Sequence, residues 1–270
     1  MTGESRQDTR AESARDAVPA GGSPLRVAVL GAAGRMGSTV CEAVESAPDM
    51  SVIARLDVGD DIAALAGVAD VAVDFTVPSA TEANVHALID AGVHPVVGTT
   101  GWDEPALDRV REHLERDGRG LGALIAPNFA LSAVLAMQFA AQAARYFESV
   151  EIIELHHPNK VDAPSGTAVH TAQAVARARE GMPVAPDATQ TCLDGARGAR
   201  VQGIPVHAVR LQGLVAHEEI LFGNPGEQLT IRTDSFERSS FMPGVLLAAR
   251  TVGSRPGLAV GLDAYLELGR

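Results

Sequence analysis

The sequence predicts an α/β protein in two parts: a doubly wound parallel sheet, then a second α+β domain with a mixed or antiparallel sheet. Three observations carry this. Between residues 25 and 130, short Val-, Ile- and Ala-rich runs alternate with stretches of helical periodicity. The first run, "LRVAVL", meets a glycine turn that opens a helix. From residue 131 the alternation gives way to a long Ala-rich helix and then to strands separated by turn signals.

In order, "LRVAVLGAAGRMGSTVCEAVESAPDM" reads as strand, turn and helix, followed by the strands "SVIARLD" and "ADVAVDFT". The helix-like "SATEANVHALIDAG" ends at Gly92, the residue type that terminates helices before a following strand, here "HPVVGTTG". A helix "DEPALDRVREHLERD" and a strand "LGALIAPNFA" complete the βαβ phasing, whose runs are apolar enough for a sheet covered on both faces. Next come the helix "LSAVLAMQFAAQAARYF", the strand "SVEIIELHH" and a helix over about 168–180. "VQGIPVHAVRLQGLVAHEEILFGNPGEQLTIRTDSF" reads as successive strands turning at "NPGE", which favours antiparallel pairing. "FMPGVLLAARTVGSR" is helical and is expected to return to the first domain. The domains are therefore 25–130 with 240–270, and 131–239. Residues 1–24 are too poor in apolar side chains to offset chain ordering and are expected to be a disordered leader.

Composition excludes several classes of function. With 34 acidic against 22 basic residues the net charge is −12, which opposes a nucleic-acid partner, and 4% aromatic content leaves few stacking platforms for single strands. No apolar run reaches the roughly 18 residues of a membrane helix. Cys41 and Cys192 are far apart and outside any CxxC pair, so neither a disulfide framework nor a thiolate zinc site is expected, and a reducing cytoplasm fits.

"GAAGRMG" places Gly31, Gly34 and Gly37 directly after a strand and at the mouth of a helix. A glycine permits the tight turn, and a missing side chain lets a pyrophosphate approach helix N-terminal amides, so the domain reads as Rossmann-like and nucleotide-binding. Asp57 closes the next strand, where a carboxylate accepts hydrogen bonds from the adenosine ribose and favours NAD. Arg35 and Arg55 supply cations for a 2′-phosphate, which keeps NADP open. "DFTVP", "GTTG" and "APNFA" stand at three strand ends, where ligands bind in open α/β sheets, and would line the nicotinamide side.

"ELHHPNKVDAPSGTA", residues 154–168, holds the other chemical groups. A strand running through His156 and His157 would turn them to opposite faces, whereas a break would release both. No HExxH pattern or i+4 partner accompanies them, so a metal is not expected. Ser165, Gly166 and Thr167 open a helix whose unpaired amides and hydroxyls suit a carboxylate, with Lys160 close by. The segment is an anion clamp beside a proton donor.

Together "GxxGRMG", "DFT", "VVGTTG", "APNF" and above all "HHPNKVDAPSGT" resemble the 4-hydroxy-tetrahydrodipicolinate (dihydrodipicolinate) reductases of lysine and diaminopimelate synthesis, over about residues 25–270. The resemblance implies an NADH- or NADPH-dependent oxidoreductase acting on a small cyclic dicarboxylate, assembled as a homotetramer through the strand-rich part of the second domain. It makes His156 and Lys160 the catalytic residues, His156 as the acid-base group and Lys160 as the essential lysine. His157, Ser165, Gly166 and Thr167 would contact substrate. Gly31, Arg35, Met36, Asp57, Gly98, Thr99, Thr100, Ala126, Asn128 and Phe129 would contact cofactor, beside Gly34 and Gly37 of the turn. Asp162 matches the string without an assigned role. Some members that accept both cofactors carry a lysine where Ala33 stands, so this chain must meet a 2′-phosphate with Arg35 or another cation. The alternatives are another nicotinamide-dependent reductase of a small carboxylate, a non-catalytic nucleotide sensor, and a metal-dependent hydrolase using the two histidines.

Overall fold

A computed structural model describes residues 23–266, so the leader reading falls almost wholly outside the described residues. The first unit runs β1 (Leu25–Leu30), α1 (Arg35–Ser46), β2 (Met50–Leu56), β3 (Val71–Asp74), α2 (Pro78–Ala91), β4 (His94–Val97), α3 (Glu104–Asp117) and β5 (Gly122–Ile125). The second runs α4 (Leu131–Ala144), β6 (Ser149–His156), α5 (Gly166–Ala178), β7 (Ala199–Val201), β8 (Ile204–Arg210), β9 (Ala216–Asn224) and β10 (Glu227–Ser235), after which α6 (Met242–Val252) and β11 (Gly257–Val260) follow.

The first sheet is parallel throughout, in the order β11-β5-β4-β3-β1-β2. Its strands are the predicted ones plus β11, a four-residue edge strand with no fully buried residue, so no buried apolar run marks it in the sequence. Both faces are covered. On one side Val40 and Val44 of α1 and Val245, Ala248 and Val252 of α6 pack on β1, β3 and β4; on the other, Val85 and Ile89 of α2 meet Leu107, Val110 and Leu114 of α3. This double cover is why the strands read as continuous apolar runs rather than alternating ones. The helix read over 241–255 is α6, and it does pack back on the first sheet.

The second sheet has the order β10-β9-β6-β8-β7. The "NPGE" turn joins the antiparallel pair β9–β10, and β6 pairs antiparallel with β9, but β6 and β8 are parallel. α5 lies between them in sequence, making a further β-α-β crossover, in the second sheet, that the long 179–198 segment obscures. One face carries α4 and α5, where Ala136, Ala140, Ala168, Ala172 and Val175 pack on Ile152, Ile220 and Phe222. Small helix residues bring these helices close to the sheet and to each other.

Candidate active site

Strand order reverses between β1 and β3, and in open α/β sheets that switch point is where ligands enter. Gly31, just past β1, has φ +75°, and a Cβ there would lie 2.9 Å from the Phe75 carbonyl oxygen just past β3. A side chain is therefore excluded by both backbone conformation and space. Gly34 is the N-cap of α1 and supplies no capping side chain, which leaves first-turn amides without a side-chain partner. Both Asp57 carboxylate oxygens accept from the Ala33 amide, at 3.2 and 3.1 Å, so the acid at the end of β2 faces the glycine turn. Arg55 is paired with Glu45, whereas Arg35 is exposed and makes no ion pair among the described residues. These features fit a dinucleotide.

Gly37 is the tightest point. A Cβ there would stand 2.1 Å from the Gly31 carbonyl oxygen and 2.8 Å from Ala32 Cα, all of it backbone. Gly37→Ala is expected to cost about 1–3 kcal/mol of stability and to weaken nucleotide binding at least tenfold, because relief requires opening the turn. A thermal melt and a nucleotide titration check both.

The predicted strand ends converge beside this turn, held by one buried carboxylate. Asp74 accepts from the Thr76 amide and hydroxyl (2.7 and 2.6 Å) and from Thr81, Asn84 and Thr99 (3.2, 3.1 and 3.2 Å). Thr99 thus turns its hydroxyl inward, Trp102 donates to its carbonyl, and Thr100 stays exposed. Gly98 lies against the Phe75 ring, so closely that a Cβ would overlap it. The side chains of Ala126 and Phe129 are buried, Phe129 against Phe75 with ring centroids 5.9 Å apart, so these two can meet a ligand through backbone only. Asn128 bridges the two units: its amide donates to the Thr167 hydroxyl (3.1 Å) while its oxygen accepts from the Ala130 amide.

Between the units lies a cleft of about 750 Å³ whose walls include Met36, Asn128, His156, His157, Lys160 and Thr167. β6 ends at His156, so the strand breaks between the two histidines and both reach the cleft. His156 is held from behind. Its Nδ1 lies 2.6 Å from Glu154 Oε2, and Arg210, opposite His156 on β8, grips both oxygens of Glu154 at 2.8 Å. Glu154 is wholly buried and also accepts from the Ser165 amide at 3.0 Å. Burial alone would push its carboxyl up, but the hydrogen bonds from His156 and Arg210 outweigh it and bring it down to about 2. A carboxylate fixed on Nδ1 sets the ring and leaves Nε2 for the cleft.

Ser165 caps α5 by accepting from the Ala168 amide at 3.2 Å, and it is 2% exposed. A Cβ on Gly166 would meet no atom of the protein within 4 Å. Lys160 Nζ donates to Asp162 Oδ1 (2.7 Å), and the Gly166 amide donates to Asp162 Oδ2 (3.3 Å). One carboxylate therefore already spans the lysine and the helix N-terminus, which demonstrates that their spacing suits that group. Burial pulls Asp162 up, but the Lys160 hydrogen bond prevails and holds it below the usual carboxylate range.

The sequence reading missed Glu218 of this cleft and Glu154 and Arg210 behind it, and left Asp162 without a role. Glu154 had a visible signal, since position i−2 on a strand shares a face with His156. Arg210 had none, lying 56 residues from Glu154 along the chain. Among the described residues no group of three or more metal-binding side chains forms, and no helix is long and apolar enough to cross a membrane.

Two family models match, "Dihydrodipicolinate reductase, N-terminus" over residues 25–129 and "Dihydrodipicolinate reductase, C-terminus" over 132–266. A 4-hydroxy-tetrahydrodipicolinate reductase of Beutenbergia cavernae is 69% identical over 246 residues, 90% of this chain and 99% of that protein. One of Mycolicibacterium vanbaalenii is 58% identical over 245 residues, 90% and 100% of the two chains. Among solved structures, a dipicolinate-bound dihydrodipicolinate reductase from Paenisporosarcina sp. TG-14 superposes with TM-score 0.81 at 36% identity, over 90% of this chain and all of that one. The two family models together span nearly all of residues 25–266, on both walls of the cleft, and the chain belongs to the dihydrodipicolinate reductase family.

Proposed function

We propose that this chain reduces 4-hydroxy-tetrahydrodipicolinate, by way of dihydrodipicolinate, to tetrahydrodipicolinate in lysine and diaminopimelate synthesis. The observation that carries the reading is the cleft itself, where one wall is the mouth of the nucleotide turn and the other pairs His156 with the Lys160–Gly166 carboxylate span.

Residues 25–130 with 240–270 bind NADH or NADPH, and 131–239 hold substrate and make subunit contacts. Gly31, Gly34 and Gly37 cradle the pyrophosphate, Asp57 takes the ribose, and Arg35 faces a 2′-phosphate. Met36, Gly98, Thr99, Thr100, Ala126, Asn128 and Phe129 border the nicotinamide, Ala126 and Phe129 through backbone only. When bound, the reduced nicotinamide supplies the hydride. Ser165, Gly166, Thr167 and Lys160 hold one carboxylate of the ring, with the open space at Gly166 left for it, and His157 contacts the ring from the cleft wall. The 4-hydroxyl departs as water. Reduction then places electron density at the far end of the conjugated system, and His156 gives a proton there while Glu154 keeps Nδ1. Lys160, which pairs with Asp162 in the ligand-free protein, is assigned to the substrate carboxylate, and His156 ranks above it as the acid.

The face of the second sheet away from α4 and α5 presents partly exposed Ile153, Leu155, Val209 and Leu221, which supports assembly as a homotetramer through that face. Two free cysteines, one buried and one exposed, suit the cytoplasm. The function is tested by loss of nicotinamide absorbance, separately with NADH and NADPH, with substrate generated in situ by the preceding synthase. Synthase-dependent oxidation is the expected result, and nucleotide binding without oxidation would replace the reductase with a sensor.

A further inference from the structure

Glu218, on β9, is a buried acidic group of the cleft that the chemistry above does not use. Its side chain is 4% exposed, and it helps close the inner wall. Glu154 stands directly across from it on β6 and Thr233 on β10, so the two buried glutamates face the same side of the sheet. Glu154 has its full set of donors. Glu218 has one contact, Oε2 to the Thr171 hydroxyl at 3.2 Å, and its Oε1 is buried with no partner among the described residues.

Hydrogen counting decides what that contact is. The Thr171 hydroxyl also lies 3.1 Å from the carbonyl oxygen of Thr167, one turn back along α5, and it has a single proton to give. If Glu218 is ionised, both neighbours of that hydroxyl are acceptors competing for one proton, and a buried carboxylate is left with at most one donor. If Glu218 is protonated, it donates to Thr171, Thr171 donates to Thr167, and no charge is stranded. The surroundings favour the second arrangement. From β6 the facing groups are Glu154, a negative charge paired with Arg210 of β8, and His156, whose Nδ1 is turned to Glu154; from α5 they are Thr167 and Thr171; from α4 they are small apolar residues and Ser132, which is engaged by Thr233. The strand neighbours His217 and Glu219 are occupied by Asp234 and Arg232. No cation contacts Glu218 among the described residues.

We infer that Glu218 is a positioning residue that stands protonated behind the carboxylate-binding turn and couples one proton to the binding of an anionic ligand there. The inference rests on the turn formed by Ser165, Gly166 and Thr167 being the carboxylate site. The chain Glu218–Thr171–Thr167 ends on that turn, two hydrogen bonds from the acid. A negative Glu218 opposes the positive helix terminus that attracts the ligand, and a neutral one does not. Burial, with the added repulsion of Glu154 and against the hydrogen bond from Thr171, pushes the Glu218 carboxyl up to about 7, so the exchange falls in the working range. By linkage, the anion binds more weakly as pH rises through that value, and its binding above it draws a proton in.

The test is isothermal titration of dipicolinate into the NADH-saturated protein at about pH 6 and about pH 8, in two buffers of different ionisation heat, for wild type and Glu218→Gln. Wild type should lose affinity by roughly tenfold across this range and take up close to one proton per ligand at the higher pH. Glu218→Gln should lose most of that slope and uptake, binding at both pH values about as wild type does at the lower. The same slope and uptake in the variant would overturn the inference while leaving the reductase reading intact; no binding to wild type would overturn the carboxylate turn and the inference with it. A measurement on wild type guards against misfolding of the variant. In protein labelled with carbon-13, dipicolinate added at about pH 8 should produce the infrared band of a protonated protein carboxyl, and its absence would refute the coupling.

Discussion

Glu154→Ala is expected to lower the melting temperature by roughly 10 °C and to depress turnover together with it. The loss comes from what is left behind rather than from the missing side chain. Arg210 loses both of its 2.8 Å carboxylate bonds, the buried Ser165 amide loses its acceptor, and His156 loses the group that fixes Nδ1. Removing one partner of a buried pair costs about 3–5 kcal/mol because the other charge stays uncompensated, and at this size each kcal/mol moves the midpoint by about 2–4 °C. Glu154→Gln should cost less, since it keeps the shape and part of the hydrogen bonding. The pH dependence has a definite sign. Glu154 is lowered to about 2 in the fold from an ordinary 4.5, so its contribution is complete above about 4.5 and is lost as pH falls towards about 2. Glu218 runs the other way: raised to about 7, it favours the fold below about 4.5, and that advantage disappears as pH rises through about 7. Chemical denaturation across acid pH, compared between wild type and Glu154→Gln, separates the first contribution from the second.

His156→Ala is expected to reduce kcat by about 10²–10⁴ while leaving the affinity for NADH and NADPH unchanged, since a positioned proton donor is worth that much and the ring stands on the opposite wall from the glycine turn. Glu154 would remain gripped by Arg210, so the variant should fold, and its melting temperature provides the control. A fall in cofactor affinity alone would place His156 on the nucleotide side instead. Lys160→Ala should differ in kind, raising KM more than it lowers kcat, because in the proposed function its ammonium holds a substrate carboxylate rather than the transferred proton.

What the sequence disclosed follows from how local each feature is. The βαβ phasing was legible because each strand is buried on both faces and each helix has its own periodicity, and Gly92 does end α2 in the left-handed conformation. The clamp was legible because His156, Lys160 and the Ser-Gly-Thr turn lie within a dozen residues, so strand end, loop and helix start are written consecutively. Its support was not. Arg210 reaches Glu154 only through the parallel register of β6 on β8, a pairing left unread because the segment between α5 and β7 has no periodicity to announce a crossover. Glu218 was hidden for a different reason: in "AHEEILFG" two acids sit side by side on one strand, and nothing local tells which turns inward. Thr99 and Phe129 show the converse, since both occupy strand ends rightly placed at the switch point while their side chains serve Asp74 and the core.

The central claim is that hydride enters the ring from the nucleotide side of the cleft and a proton from the His156 side. It is tested most directly by tracing the two hydrogens. Wild-type protein, nicotinamide deuterated at the transferred position and substrate made in situ should give tetrahydrodipicolinate with one cofactor-derived deuterium on the ring. In heavy water with unlabelled cofactor, a deuterium should appear at the far end of the conjugated system, and His156→Ala should slow formation of both products equally. Product carrying no cofactor-derived deuterium, or forming at the wild-type rate without His156, would contradict the account.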